Sequence, residues 1–260
     1  VFCLSRGLGD VYKRQPLPLA EIVLDWSIIE GELSERKKTS LKILLVAVSN
    51  DIINQYRQIV ALSNLELLAL EAEVFGLVRS LIKDKKETLA LLDIGARSTT
   101  CNIVDQGILK ASHSFDIAGN ELTQVLSKAL NVDFFEAENL KKIHGLKFFV
   151  FPPDNQGTST IEKRVGEILK PLIDLILNET ERTSQNFYQL TGKKVQKIII
   201  TGGTALLPGL KEYFIKSFKK ETEIANPFLD ILYPPILEEN LKKIGPSFAV
   251  AIGIALRGLE

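Results

Sequence analysis

The chain has 260 residues, 45% of them apolar, which is enough to bury a core in one large domain or two small ones. Its 32 basic and 32 acidic residues cancel, so no bulk charge would hold nucleic acid or an anionic bilayer. The longest apolar runs, 43–48 and 248–256, fall short of the roughly 20 residues a membrane-crossing helix needs. Cys3 and Cys101 lie far apart and join no Cys-x-x-Cys or Cys/His group, so neither a disulfide framework nor a zinc site is expected. A reducing cytoplasm is the default compartment. His113 and His144 sit near no Ser or Cys in a triad arrangement and read as structural or exposed.

In chain order, residues 1–15 show no periodicity, and the sequence has no Met, so they are expected to be a non-native or disordered extension of a chain that starts partway through its fold. Leu19 to Ile29 reads as extended around Trp26, and Glu30 to Ser40 as a charged turn. Leu41 to Val48 is apolar enough for a strand buried on both faces. Ser49-Asn50-Asp51 caps a helix from Ile52 to about Leu62, with Ile52, Ile53, Tyr56, Ile59 and Val60 on one stripe. Ser63 to Leu70 suggests a short strand and Glu71 to Leu81 a second helix. After the turn at Asp84 to Glu87 comes Leu89 to Leu109: an apolar run ending in Asp93-Ile94-Gly95, a turn through Ala96-Arg97-Ser98, a second strand from Thr99, and another turn at Asp105-Gln106-Gly107. Helices follow at 121–130 and 135–143, then a loop or short β excursion at 147–160. The longest helix, Ile161 to about Leu190, carries Pro171, where a kink or break is expected. Val195 to Thr201 is a second buried strand running into Gly202-Gly203, followed by a helix to about Phe218. The proline-punctuated loop 226–235 precedes a last helix from Phe248 to Gly258. Mixed strands and helices without a fixed repeat argue for an α/β architecture.

Three stretches suggest a site. In the 89–109 hairpin, Gly95 permits close backbone approach, and Ser98, Thr99 and Thr100 offer hydroxyls beside free N–H groups. Asp93 at the strand end suits a hydrated magnesium ion whose other ligands are phosphate oxygens. On spacing alone the same residues suit an ordinary hairpin with an Asx-type turn. Gly202-Gly203, at a strand-to-helix junction, lets a planar or phosphorylated group lie against bare backbone. Glu138 and Lys141, at i and i+3, put a carboxylate and an ammonium on one helical face, a pairing equally common on solvated helices. Glu71 and Glu73 open a helix where the dipole favours carboxylates in any case.

Taken jointly, Leu92-Asp93-Ile94-Gly95 with Thr99, then Ala137 to Lys141, then Ile200 to Leu210 with its Thr-Gly-Gly-x-x-x-x-Pro-Gly pattern, resemble the nucleotide-binding motifs of the actin-like ATPase superfamily. Within it the chain is similar to the PilM family of type IV pilus assembly proteins, itself similar to the cell-division protein FtsA. Supporting features are Leu44 to Val48 before a helix, Leu70-Glu71-Ala72-Glu73 with Arg79, Gly119 to Thr123, Glu136 to Lys141, and Pro246 to Gly258.

The resemblance implies an actin-like (ribonuclease H-like) fold of two lobes, the first incomplete: residues 16–82 for its remainder with the connecting helix, 83–260 for the second lobe, and 119–194 for a helical insertion. It implies ATP and Mg2+ in the cleft, with Asp93, Gly95, Ala96, Arg97, Ser98 and Thr99 at the phosphates. Glu138, Lys141, Gly202, Gly203 and Leu206 would face the ribose and base, and Asp93 and Glu71 the metal through water. Its further implications are a cytoplasmic scaffold in pilus assembly, bound to the cytoplasmic N-terminal segment of PilN and to other assembly components. Attachment to the inner membrane would be peripheral, without a span of its own and without nucleic acid. An FtsA-like filament protein and a small-molecule kinase of the same superfamily are the alternatives. The chain departs from the family pattern in four places: no Asp-x-Gly precedes Trp26, Ala118 replaces the first of two glycines, Arg97 places a large cation beside the phosphate hairpin, and Ala96 stands where actin has an acidic residue. No catalytic residue is assigned. Any ATPase activity is expected to be weak, and absent without the first phosphate hairpin.

Overall fold

A computed structural model describes residues 2–4, 21–30, 42–83, 86–151 and 160–259. The turns expected at 31–40 and 84–85, the loop at 152–159 and most of the 1–15 extension lie outside the described residues. The chain forms two compact units, 1–72 and 73–260.

In the first unit, β1 (Phe2–Leu4), β2 (Ile22–Glu30) and β3 (Lys42–Ser49) form an antiparallel sheet in the order β1-β3-β2. Residues 2–4 therefore do not stand outside the fold: their backbone pairs with Ile43 to Leu45 and completes the second edge of β3, which would otherwise present open N–H and C=O groups. Trp26 lies opposite Leu45. Leu44 and Leu45, on opposite faces, are both buried while Ala47 is exposed, so β3 is buried on both faces at Leu44 and Leu45 but not along its length. The Ser49 hydroxyl caps α1 (Asn50–Leu62) by accepting from the Asp51 N–H at 3.2 Å. Its apolar stripe, including Ile52, Tyr56 and Ile59, is exposed. Residues 65–70 run outside any strand, a departure from the expected element. Leu65 and Leu68, three residues apart and so not on one strand face, stay exposed.

The second unit begins with α2 (Glu73–Leu81) and is built on a five-stranded sheet ordered β6-β5-β4-β7-β8. Strands β4 (Thr88–Ile94), β5 (Thr99–Asp105) and β6 (Ile108–Phe115) form an antiparallel meander. Helices α3 (Gly119–Leu130), α4 (Phe134–His144), α5 (Lys147–Val150) and α6 (Thr160–Thr191) follow. Then come β7 (Lys197–Thr201), α7 (Leu210–Phe218), β8 (Glu221–Ile224) and α8 (Glu238–Arg257). Strand β7 lies parallel to both β4 and β8. Residues 147–150 are thus helical rather than β, and β8 is an additional strand.

Leu92, Ile94 and Ile103 from the sheet pack with Leu122, Leu126, Leu169, Ile173 and Ile176 in one core. Helix α6 continues through Pro171 as a single element of 32 residues. On its buried face Thr180, Thr183 and Ser184 return their hydroxyls to carbonyls four residues back, satisfying them inside the core. Burial pushes the Cys101 thiol up to about 12 against a hydrogen bond with Thr183. At the far end of the sheet, Asp105 accepts from Lys193 at 2.6 Å and from Thr88 at 2.7 Å. Burial raises this carboxyl's pKa, but those hydrogen bonds outweigh it and hold it below the ordinary value.

Helix α8 starts ten residues before Phe248 and carries Pro246 in its interior. Glu238 and Glu239 favour its start through the helix dipole, and Glu238 pairs with Lys242 at 2.6 Å. The Pro246 carbonyl faces the sheet, accepting from the Gly202 N–H at 3.0 Å and the Thr201 hydroxyl at 2.9 Å. Further along, α8 meets α2 backbone to backbone: a Cβ on Gly253 would collide with the Gly76 carbonyl. Ser80 and Arg79 donate to the Ala249 and Gly253 carbonyls, each at 2.9 Å.

Candidate functional site

Three backbone segments converge at the C-terminal end of β4 and β7. The first is the turn between β4 and β5, closed by the Gly95 N–H on the Ser98 carbonyl at 3.0 Å. The second is the start of α3, whose Gly119 and Asn120 N–H groups bind the Gly95 and Ala96 carbonyls at 3.0 and 2.9 Å. The third is the turn after β7, where the Thr204 N–H binds the Ile94 carbonyl at 3.1 Å. Two glycines are required by this approach. A Cβ on Gly119 would meet the Thr204 hydroxyl at 2.6 Å, and Gly202, at φ +89°, would drive one into Asp93 and the Ile94 carbonyl. Ala118, by contrast, is extended at φ −154° and ψ −172°, so the alanine found there in place of glycine carries no backbone penalty.

These segments enclose a cleft of about 540 Å³ within the second unit. Of the residues expected at the site, Gly95, Ala96, Glu138, Lys141, Gly203 and Leu206 line it. Gly203 opens onto it: a Cβ there would find only the Ser247 hydroxyl, at 3.9 Å. The wall also contains Gly119, Asn120, Lys142, Thr204, Leu207, Lys243 and Ser247. Lys243 and Ser247 come from α8, whose early start brings them to the cleft. Ser247 lies in the 246–258 stretch that supports the resemblance, whereas nothing in its own sequence pattern marks Lys243, although the Glu238/Lys242 spacing signals a longer helix.

Asp93 sits beneath the glycine turn, with its pKa raised from 3.8 to about 6 by burial and by the nearby charge of Glu73. Glu73 is a carboxylate whose field reaches Asp93. Glu71 falls in the first unit. Among the described residues no group of three or more His, Cys, Asp or Glu forms a metal cage. Thr99 is buried and donates its hydroxyl to the Ile117 carbonyl at 2.6 Å, so it braces the hairpin from inside instead of facing the cleft. Arg97 and Ser98 are exposed at the turn and stand off the cleft wall.

Glu138 and Lys141 do share one face of α4, at 2.6 Å. Burial works to raise the Glu138 pKa, but hydrogen bonds from Lys141 and Thr123 outweigh it and keep the carboxyl below its ordinary value. Burial draws the Lys141 ammonium below the usual lysine range against that same ion pair. The arrangement offers an anion three things: backbone N–H groups at a turn, the N-terminus of a 12-residue helix, and two exposed cations, Lys142 and Lys243.

The chain matches the family described as type IV pilus assembly protein PilM over residues 10–259. It is similar to the cell division protein FtsA of Rhizobium meliloti (strain 1021), 26% identical over 225 residues, covering 75% of this chain and 48% of that protein. FtsA of Bacillus subtilis (strain 168) is 29% identical over 168 residues, covering 57% and 36%. The chain spans about half or less of the length of these relatives. Among solved structures it resembles the PilM-PilN type IV pilus biogenesis complex, with a TM-score of 0.80, 23% identity, and 97% of this chain and 70% of that chain covered. It also resembles MreB5 of Spiroplasma citri bound to AMPPNP, with a TM-score of 0.59, 18% identity, and 80% and 64% covered. The fold is the α/β actin-like ATPase fold that the sequence motifs imply. With the family matched over nearly its whole length, the chain belongs to the type IV pilus assembly protein PilM family.

Proposed function

We propose that this chain binds ATP with Mg2+ in the cleft of its second unit and serves as a scaffold in type IV pilus assembly. The observation that supports this most is the convergence of the Gly95 turn, the α3 N-terminus and the open Gly203 on one cleft. Gly203 leaves bare backbone open to a ligand, while the Gly95 turn and the α3 start, whose Gly95, Gly119 and Asn120 N–H groups bond protein carbonyls, bring the positive end of the helix dipole to the same wall. The residues fit such a ligand. Gly95, Ala96 and the helix start would receive phosphates, Leu206 and Gly203 would lie against the base, and Glu138 would accept from sugar hydroxyls. Asp93 would orient a magnesium ion through water, its other ligands being phosphate oxygens. MreB5, which shares the fold, is described as bound to AMPPNP in one structure and to ADP in another.

The ligand's role is to bias cleft closure and thereby partner affinity, with hydrolysis secondary. The partner is the cytoplasmic N-terminal segment of PilN, suggested by the PilM-PilN complex that the chain resembles. Through it and other assembly components the protein would sit in the cytoplasm, peripheral to the inner membrane. Among the described residues no helix is long and apolar enough to cross a membrane. The test is a calorimetric titration with ATP, with and without Mg2+, followed by a labelled PilN N-terminal peptide in the presence and absence of nucleotide. Magnesium-dependent ATP binding that changes peptide affinity is the expected result. ATP binding that is absent or indifferent to Mg2+ would sink the nucleotide mechanism while leaving the family assignment intact.

A further inference from the structure

The ammonium of Lys141 has three hydrogens, and each ends on an acceptor inside the protein. These are the Gly119 carbonyl at 2.9 Å, the Thr123 hydroxyl at 2.7 Å and the Glu138 Oε2 at 2.6 Å. Having accepted from Lys141, the Thr123 hydroxyl has one proton and two acceptors in reach, the same Glu138 oxygen at 2.5 Å and the Gly119 carbonyl at 2.9 Å, and the nearer, charged oxygen is the stronger acceptor. The Lys141 side chain is 7% exposed, against 68% for Lys142. A buried ammonium with all its donors engaged has none left for a ligand, although the residue forms part of the cleft wall. Glu138 is divided differently. Its Oε2 is saturated by Thr123 and Lys141, while its Oε1 meets the exposed Lys142 at 3.2 Å, a contact a ligand hydroxyl can replace at little cost.

The network also leads in the other direction. Gly119, whose carbonyl Lys141 holds, opens α3, and its own N–H binds the Gly95 carbonyl while the Asn120 N–H binds that of Ala96. One run of hydrogen bonds therefore connects the Glu138 carboxylate on one wall of the cleft with the Gly95 to Ser98 turn on another. Thr123 sits one helical turn after Gly119, and Glu138 and Lys141 lie one turn apart on α4, so all four groups are fixed by two packed helices and not by loops.

We propose that Lys141 and Thr123 are positioning residues that fix the Glu138 carboxylate as the acceptor for the sugar hydroxyls of a ribonucleotide and, through Gly119, brace the turn that receives its phosphates. The proposal rests on the assignment of the cleft to a nucleotide.

Calorimetric titration of the chain with Mg-ATP, Mg-2′,3′-dideoxy-ATP and Mg-tripolyphosphate separates the two ends of the ligand. Wild type is expected to prefer ATP over the dideoxy compound about tenfold or more, the equivalent of one charge-assisted hydrogen bond. Thr123→Val should collapse that preference and leave tripolyphosphate binding unchanged, and Thr123→Ser should restore it; Glu138→Gln should collapse the preference as well. Lys141→Met should lose the preference and weaken tripolyphosphate as well. If Lys141→Met fails to fold, the Thr123 pair, which exchanges a methyl for a hydroxyl, carries the test alone. Variants at Lys141 and Thr123 that keep the wild-type preference overturn the proposal, with nucleotide binding intact. Loss of preference in Lys141→Met without any change for tripolyphosphate overturns the bracing role. A wild-type chain that binds none of the three ligands removes the nucleotide assignment and the proposal together.

Discussion

Replacing Asp93 with asparagine should make the ligand-free protein more stable at neutral pH. The carboxyl lies half-buried at the end of β4 with Glu73 nearby and is raised from 3.8 to about 6. At 1.36 kcal/mol for each tenfold change in proton affinity, that is about 3 kcal/mol by which ionised Asp93 opposes folding. The sign follows from where the proton is held. The folded state binds it more tightly than the unfolded chain, so wild type loses stability as pH rises from about 4 through about 6, and above that the whole penalty is present. Asparagine has no such titration. Urea unfolding at pH 4 and at pH 7.5 should therefore show the variant's advantage small at the first and near its full value at the second. Mg-ATP should then stabilise wild type and leave Asp93→Asn unmoved. A variant no more stable than wild type at pH 7.5, or an equal increment at both pH values, would refute the assignment of buried charge to this position.

Gly253→Ala should destabilise the second unit by about 3 kcal/mol, because its methyl must displace the Gly76 carbonyl on α2. A change below about 0.5 kcal/mol in urea unfolding would show that the two helices can part freely. Lys193→Met removes a hydrogen-bonded charge from buried Asp105 and should cost about 1.5 to 3 kcal/mol at neutral pH. Because the Asp105 pKa is lowered in the folded state, that loss should fade as pH falls through its folded value, and a pH-independent difference would contradict it. Thr99→Val strands the Ile117 carbonyl and should cost about 1 kcal/mol in thermal unfolding without altering Mg-ATP affinity. A large loss of affinity at unchanged stability would return Thr99 to the phosphates.

Elements defined by local pattern were legible in the sequence. The β4 run ending in Asp93-Ile94-Gly95 and the β7 run ending in Gly202-Gly203 both appear where their apolar stretches and glycines place them. What local pattern could not supply was the outcome of tertiary competition. Thr99 offers a hydroxyl in sequence, but only the approach of Ile117 decides that it is consumed internally. Pro246 looks like a helix start, since it lacks the N–H a helix interior uses. Here the helix nevertheless runs upstream of it to Glu238 and carries Lys243 to the cleft, while the Pro246 carbonyl is taken up by Gly202 and Thr201. Strand β8 is four residues long with Glu221 and Glu223 alternating outward, too short and too charged to stand out before its pairing with β7 is known. The Glu138/Lys141 spacing identified a shared helical face but not the hydrogen bonds made on it, which depend on Thr123 and Gly119, more than a dozen residues earlier.

The contact between Gly76 and Gly253 has a consequence for how this protein can change over generations. Neither glycine lines the cleft, yet a side chain at Gly253 must push α8 away from α2, and one at Gly76 would press on the Val250 carbonyl at 3.0 Å. The same helix holds Pro246 against Gly202 and carries Ser247 to the cleft wall. A sequence drifting at the crossing would therefore disturb the ligand wall before it exhausted the stability of the fold. The cleft's mutational footprint thus extends two helical turns beyond the residues that line it.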